Sequence, residues 1–165
     1  MTPGAQFLRF TLTLGLALVL QMLPLPEVIS GLRPLWLALT LGYWALFAPE
    51  QPVLFAAWMS GLCSDVLYQA PLGQYALGLV TVAFAVRRLR GLLLVFPIWQ
   101  SMLALAPVWA LYAFMMFWID GLNQHQSALS LRWLPVLTTT LLWPLAVGLL
   151  SSLRYRRGHH RSSLA

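Results

Sequence analysis

The side chain with the most chemistry to explain is Asp65, which sits near the end of an apolar helix expected at about 52–69, in the motif Gly61-Leu62-Cys63-Ser64-Asp65. A lone carboxylate in such a helix can relay protons or ions, or it can fasten one part of the chain to another. Placing it at mid-membrane costs about 2.5–3.5 kcal/mol on insertion scales, so a partner inside the fold is required. Two partners are open. The start of the fourth helix, in Ala70-Pro71-Leu72-Gly73, offers free backbone amides and a positive dipole end to an anion. Arg33, at the start of an antiparallel helix, would supply an ion pair. A relay needs a second acid or a histidine at similar depth, and the sequence supplies none there. The pattern favours a structural clamp on the turn after Asp65.

Other reactive residue types lead nowhere comparable. Ser60, Ser64 and Ser101 have no histidine or lysine near them in sequence, so no serine nucleophile is supported. Cys63 is the single cysteine, which leaves no intrachain disulfide and no zinc-ligand spacing. His159 and His160 fall in the basic stretch Arg154–Arg161, and His125 in a polar connection; neither reads as a metal site. No catalytic residue, cofactor or metal is expected. Around Asp65, Ala57 and Gly61 repeat at four-residue spacing, as do Ala56, Ser60 and Ser64. Small residues at that interval let helix backbones approach closely. Internal packing is the favoured use of this stripe, with its helix at the centre of the bundle; a docking face for another membrane helix is the alternative.

The elements that must position these residues follow from charge. The chain has 165 residues, 60% hydrophobic and 8% charged, with ten arginines, four acids and no lysine. Fourteen charges cannot cover a water-soluble surface of this size, which excludes a cytosolic enzyme, a secreted disulfide scaffold and a disordered tail. The net charge of +6 is not a nucleic-acid signal, because the arginines edge apolar runs instead of forming a face with interleaved aromatics. The uncharged gaps hold 17 residues between Arg9 and Glu27, 16 between Arg33 and Glu50, 14 between Glu50 and Asp65, 21 up to Arg87, 29 from Arg90 to Asp120 and 21 from Arg132 to Arg154. A hydrocarbon core of about 30 Å takes roughly 20 helical residues.

Ala48-Pro49-Glu50-Gln51-Pro52 breaks what would otherwise be one overlong helix. The expectation is an all-α polytopic membrane protein: one domain over 1–153, a six-transmembrane-helix bundle with helices at about 7–23, 34–48, 52–69, 72–86, 97–119 and 133–153. Residues 154–165 form a basic cytoplasmic tail, and 91–96 lie along the inner interface. The first helix is retained, since Gln21-Met22-Leu23-Pro24 is a poor cleavage site. Six spans with cytoplasmic termini place eight arginines inside and only Arg33 and Arg132 outside; five spans would reverse the Arg87–Arg90 cluster and the tail. Trp99, Trp118 and Trp133 suit the membrane interfaces, and Trp36, Trp44, Trp58, Trp109 and Trp143 lie deeper. Pro107 and Pro144 fall mid-helix, where kinks are expected.

Arg33-Pro34-Leu35-Trp36 opening a short helix, Gly61-x-x-x-Asp65 ending the next, and Leu72-Gly73-Gln74-Tyr75-Ala76-Leu77 entering the fourth together resemble the rod shape-determining protein MreD family. Gln21-Met22-Leu23-Pro24, Leu142-Trp143-Pro144 and the basic C-terminus extend the resemblance over nearly the whole chain. It implies that Arg33, Pro34, Gly61, Asp65, Leu72 and Gly73 are motif residues. It implies a bacterial inner-membrane component of the elongation machinery with no catalytic activity. Its implied partners are MreC directly and, through the complex, MreB, RodA and a penicillin-binding transpeptidase, within the lipid bilayer. It also implies a fold like the substrate-binding component of energy-coupling-factor transporters.

Two functions compete. One is a non-enzymatic scaffold that binds MreC and helps to control cell shape and peptidoglycan synthesis. The other is a vitamin-like uptake component whose outward pocket would draw on Ser64, Asp65, Tyr68, Gln69, Gln74 and Tyr75. These cluster at one turn instead of converging from several helices, which favours the scaffold.

Overall fold

A computed structural model describes residues 3–23, 31–122 and 133–155. The expectations for the connection over 123–132, with His125 and Arg132, and for the tail beyond 155 lie outside them. The described residues form six helices and no strand: α1 Pro3–Met22, α2 Trp36–Phe47, α3 Val53–Leu67, α4 Gln74–Leu93, α5 Ile98–Leu122 and α6 Leu134–Tyr155. The protein is an all-α membrane protein, with α1, α5 and α6 long and apolar enough to cross a bilayer, and α2 and α3 as shorter apolar helices.

Proline and glycine punctuate the chain as their missing donors and free dihedrals require. Pro34 precedes α2, Pro49 and Pro52 bracket the α2–α3 turn, and Pro97 sits just ahead of α5, accepting bonds from the amides of Gln100 and Ser101. α5 and α6 run through Pro107 and Pro144 respectively. α4 continues past its arginines to Leu93, beyond the 72–86 that charge spacing gives. Arginine and leucine are good helix formers, so the charges at 87–90 mark a polarity boundary and not the end of the helix.

The centre of the bundle is α2 and not α3, a correction to the expectation above. Every residue from Leu37 to Leu46 is buried, and α2 packs on α1, α3, α4 and α6. A helix that is apolar on all sides belongs in the interior, and Trp36–Phe47 is such a helix. α3 is one-sided: Ala56, Ala57, Ser60, Gly61, Ser64 and Asp65 are buried, while Phe55, Trp58, Met59 and Val66 are exposed. The stripe of small residues therefore serves internal packing, chiefly against α4, the most extensive helix pair of the fold.

Trp44, Trp109 and Trp143 are buried, and Trp58, Trp99, Trp118 and Trp133 are exposed. Trp109 and Trp143 pack against each other over Gly42, where an added Cβ would lie 3.0 Å from the Trp109 ring. α1 is peripheral. It meets the bundle through Phe10, edge-on to Trp44, and through Thr13, whose hydroxyl accepts from the Trp44 indole at 3.0 Å.

Candidate functional site

The site is built around one close approach. A Cβ placed on Gly61 would stand 2.2 Å from the Cα and 2.6 Å from the amide nitrogen of Ala76. The backbones of α3 and α4 touch there, and glycine is the residue that permits it. One turn further along α3, the same face presents Asp65, 1% exposed. Its carboxylate accepts from the amide of Gly73 at 2.8 Å through Oδ2 and from that of Tyr75 at 2.6 Å through Oδ1.

These donors open α4. The first amides of a helix have no partner within it, and the position before the first turn ordinarily carries Ser, Thr, Asp or Asn to accept from them. Here that position is Gly73, at φ +99°, a conformation glycine adopts without the steric cost of a Cβ. It has no side chain to cap with, so Asp65 of α3 does the capping across the interface. The carboxylate also faces the positive end of the α4 dipole. Of the two partners that the sequence leaves open for Asp65, the structure shows the helix amides.

The turn between is tight. The amide of Ala70 donates to the Asp65 carbonyl at 2.9 Å, and Gln69 takes φ +52° to reverse the chain.

Arg33 holds a different junction at the same end of the bundle. Its guanidinium donates to the carbonyls of Gln21, at 2.7 Å, and of Leu23. The last carbonyls of a helix lack partners, and Arg33 supplies them to α1. The Tyr68 hydroxyl donates to the same Gln21 carbonyl at 2.6 Å, and the Gln21 side chain accepts from the Trp36 amide at 3.1 Å. α1, α2 and α3 are thereby joined at one point. Gln74, buried, donates to Asp120 at 2.7 Å and ties α4 to α5. Thr139 of α6 accepts from the Leu35 amide at 3.0 Å.

Of the motif residues, Gly61, Asp65 and Gly73 come together. Arg33 and the buried Pro34 lie at the α1–α2 junction, and Leu72 is 82% exposed, outside the cluster. The link between Gln74 and Asp120 was not foreseen, since no local pattern relates residues 46 positions apart.

The hydroxyls of Ser60, Ser64 and Ser101 are turned onto their own helices. Ser60 donates to the Ala57 carbonyl, Ser64 to that of Ser60, and Ser101 to that of Ile98. Cys63 is exposed on the outer face of α3. Among the described residues no three His, Cys, Asp or Glu side chains are grouped as a metal would need.

Two apolar cavities open on the flanks. One of about 430 Å³ is lined by Phe114, Phe117, Trp118 and Gly121. The other, about 300 Å³, lies between α1, α2 and α6. Neither is lined by the polar residues around Asp65.

Residues 2–153 match the family model described as rod shape-determining protein MreD. The chain is similar to the rod shape-determining protein MreD of Haemophilus influenzae, 28% identical over 143 residues that cover 84% of this chain and 86% of that protein. No solved structure matches at a significant level.

Proposed function

The chain belongs to the MreD family of rod shape-determining proteins, and from that premise we propose that it is a non-enzymatic scaffold of the bacterial inner membrane. All six helices cross the bilayer, with both termini cytoplasmic, so that the Asp65 end faces outward and the Arg87–Arg90 end inward. The scaffold binds MreC by lateral helix packing. Through that contact it joins MreB, RodA and a penicillin-binding transpeptidase in controlling peptidoglycan synthesis during elongation.

The observation that supports this reading is the commitment of Asp65. A carboxylate that holds two helix amides is a structural fastening. Three more of the polar side chains that an outward ligand pocket would need make bonds inside the fold: Ser64 to the Ser60 carbonyl, Tyr68 to that of Gln21 and the Gln74 amide group to Asp120.

Co-purification of the full chain with MreC from detergent-solubilised membranes tests the proposal. Retention of MreC through size exclusion is expected. Failure to retain it, together with a vitamin-sized molecule bound to the isolated protein, would replace the scaffold by the uptake component. Reporter fusions in the α4–α5 turn and at the C-terminus should both report cytoplasm.

A further inference from the structure

The arginine end of α4 combines features that a helix terminus facing plain water would not need. Down the exposed side of α4 run Leu77 and Phe84, then Arg88 one turn later, then Leu92. Beyond the arginines the surface becomes apolar again: Val95 is 81% exposed, and Ile98 and Trp99 are also exposed. The cationic belt of Arg87, Arg88 and Arg90 therefore lies between two apolar patches.

Length sharpens the point. The 20 residues of α4 make about 30 Å of helix, the thickness of the hydrocarbon layer. Yet the arginines fall within its last two turns, Arg90 in the last itself, and not after it. Their side chains must reach along the surface to polar groups.

Two of them are held in place. Arg90 donates through Nε to the Leu46 carbonyl at 2.8 Å, and Arg87 through Nη2 to the Pro49 carbonyl at 3.3 Å. Each uses one nitrogen, and a guanidinium carries five N–H donors. Arg88 is exposed and makes no hydrogen bond or ion pair among the described residues. The acid of this end, Glu50 on the α2–α3 turn, accepts from Gln6 of α1.

We propose that Arg87, Arg88 and Arg90 form a binding site for the phosphate of an anionic glycerophospholipid. The acyl chains of that lipid lie along Phe84 and Leu77, and Val95 and Trp99 border its headgroup and glycerol. Charge complementarity selects an anion, and the flanking apolar residues select one that carries hydrocarbon. The arginines draw the headgroup towards the bilayer interior, and the exposed apolar turn after α4 sits at the boundary between acyl chains and headgroups. An acidic peptide would satisfy the arginines but leave the face through Leu77 and Phe84, continuous with the site, without its hydrocarbon.

The test is native mass spectrometry of the purified full chain, titrated with phosphatidylglycerol and with phosphatidylcholine. Wild type should retain phosphatidylglycerol selectively. Arg88→Gln should bind it about fivefold more weakly, the weight of one arginine near a charged membrane surface. Its phosphatidylcholine binding and its melting temperature in detergent should be unchanged, and Arg88→Lys should restore most of the selectivity. Arg87→Gln combined with Arg88→Gln should weaken phosphatidylglycerol further by a similar factor. Equal retention of the two lipids by wild type overturns the site, as does undiminished selectivity in Arg88→Gln. Displacement of phosphatidylglycerol by inorganic phosphate at equal concentration also overturns it, since the lipid chains would then contribute nothing.

Discussion

At the aspartate end of the bundle a carboxylate accepts from the amides that open α4. At the arginine end a guanidinium donates to the Leu46 carbonyl in the last turn of α2, and another to Pro49 in the turn that follows. Each end places the sign of charge that complements the helix terminus it meets. They differ in burial and in the freedom of their parts. Asp65 is fully enclosed, and its donors are backbone groups on a helix that Gly61 brings into contact. Arg87 and Arg88 are exposed, and Arg88 makes no hydrogen bond or ion pair among the described residues. A rigid, dry contact needs particular residues; a wet, flexible one needs only charge. The two ends should therefore respond very differently to substitution.

The largest effect is expected from Gly61→Ala. Its methyl group would meet the backbone of Ala76, which no shortening of a side chain can relieve, so α3 and α4 must separate. A loss of about 3 kcal/mol is expected, at the upper end for an overpacked core. Melting in detergent and accumulation in membranes measure it, and a wild-type melting temperature would break the comparison at its strongest point.

Asp65→Ala comes next, at about 2–3 kcal/mol for a buried charged hydrogen-bond acceptor withdrawn from two amides. This variant separates insertion from folding. Removing the charge makes α3 easier to insert by about 2.5–3.5 kcal/mol, so the protein should reach the membrane yet melt lower and yield less complex. Normal accumulation together with normal melting would remove the clamp.

Asp65→Asn retains one acceptor oxygen and should lose about half as much, by the same melting measurement. Arg90→Ala gives up one bond to the Leu46 carbonyl and should cost about 1 kcal/mol. Arg88→Gln should leave the melting temperature unchanged, and any clear shift there would show that the arginine end is less tolerant than its exposure implies.

Much of this contrast was legible in the sequence because it is local. The charges divide the chain at points close to the observed helix boundaries, and Gly61, Asp65 and Gly73 fall within 13 residues of one another. Spacing alone suggested that a carboxylate at the end of one helix could meet the amides opening the next.

The rest depends on packing that spacing does not encode. The small residues of α3 pointed to a central helix, but a stripe on one face serves one neighbour, and the centre went to α2. The all-round apolar sequence Trp36–Phe47 carried that signal. Arg33 and Asp65 are opposite in charge and lie at the same end, which made them plausible partners. The unsatisfied carbonyls closing α1 hold Arg33 instead, and their position depends on how α1 is oriented against α2.

Because the cap of α4 belongs to α3, synthesis order matters to the pair. The ribosome makes the acceptor first and the donors eight and ten residues later, an interval on the order of a second at ordinary elongation rates. During that interval α3 bears an unanswered charge, and α4, once begun, has no cap except the one α3 offers. Neither helix is a finished object alone. The hairpin, with its glycine contact and its borrowed cap, is the smallest piece of the chain in which the Asp65 carboxylate and the amides that open α4 answer each other.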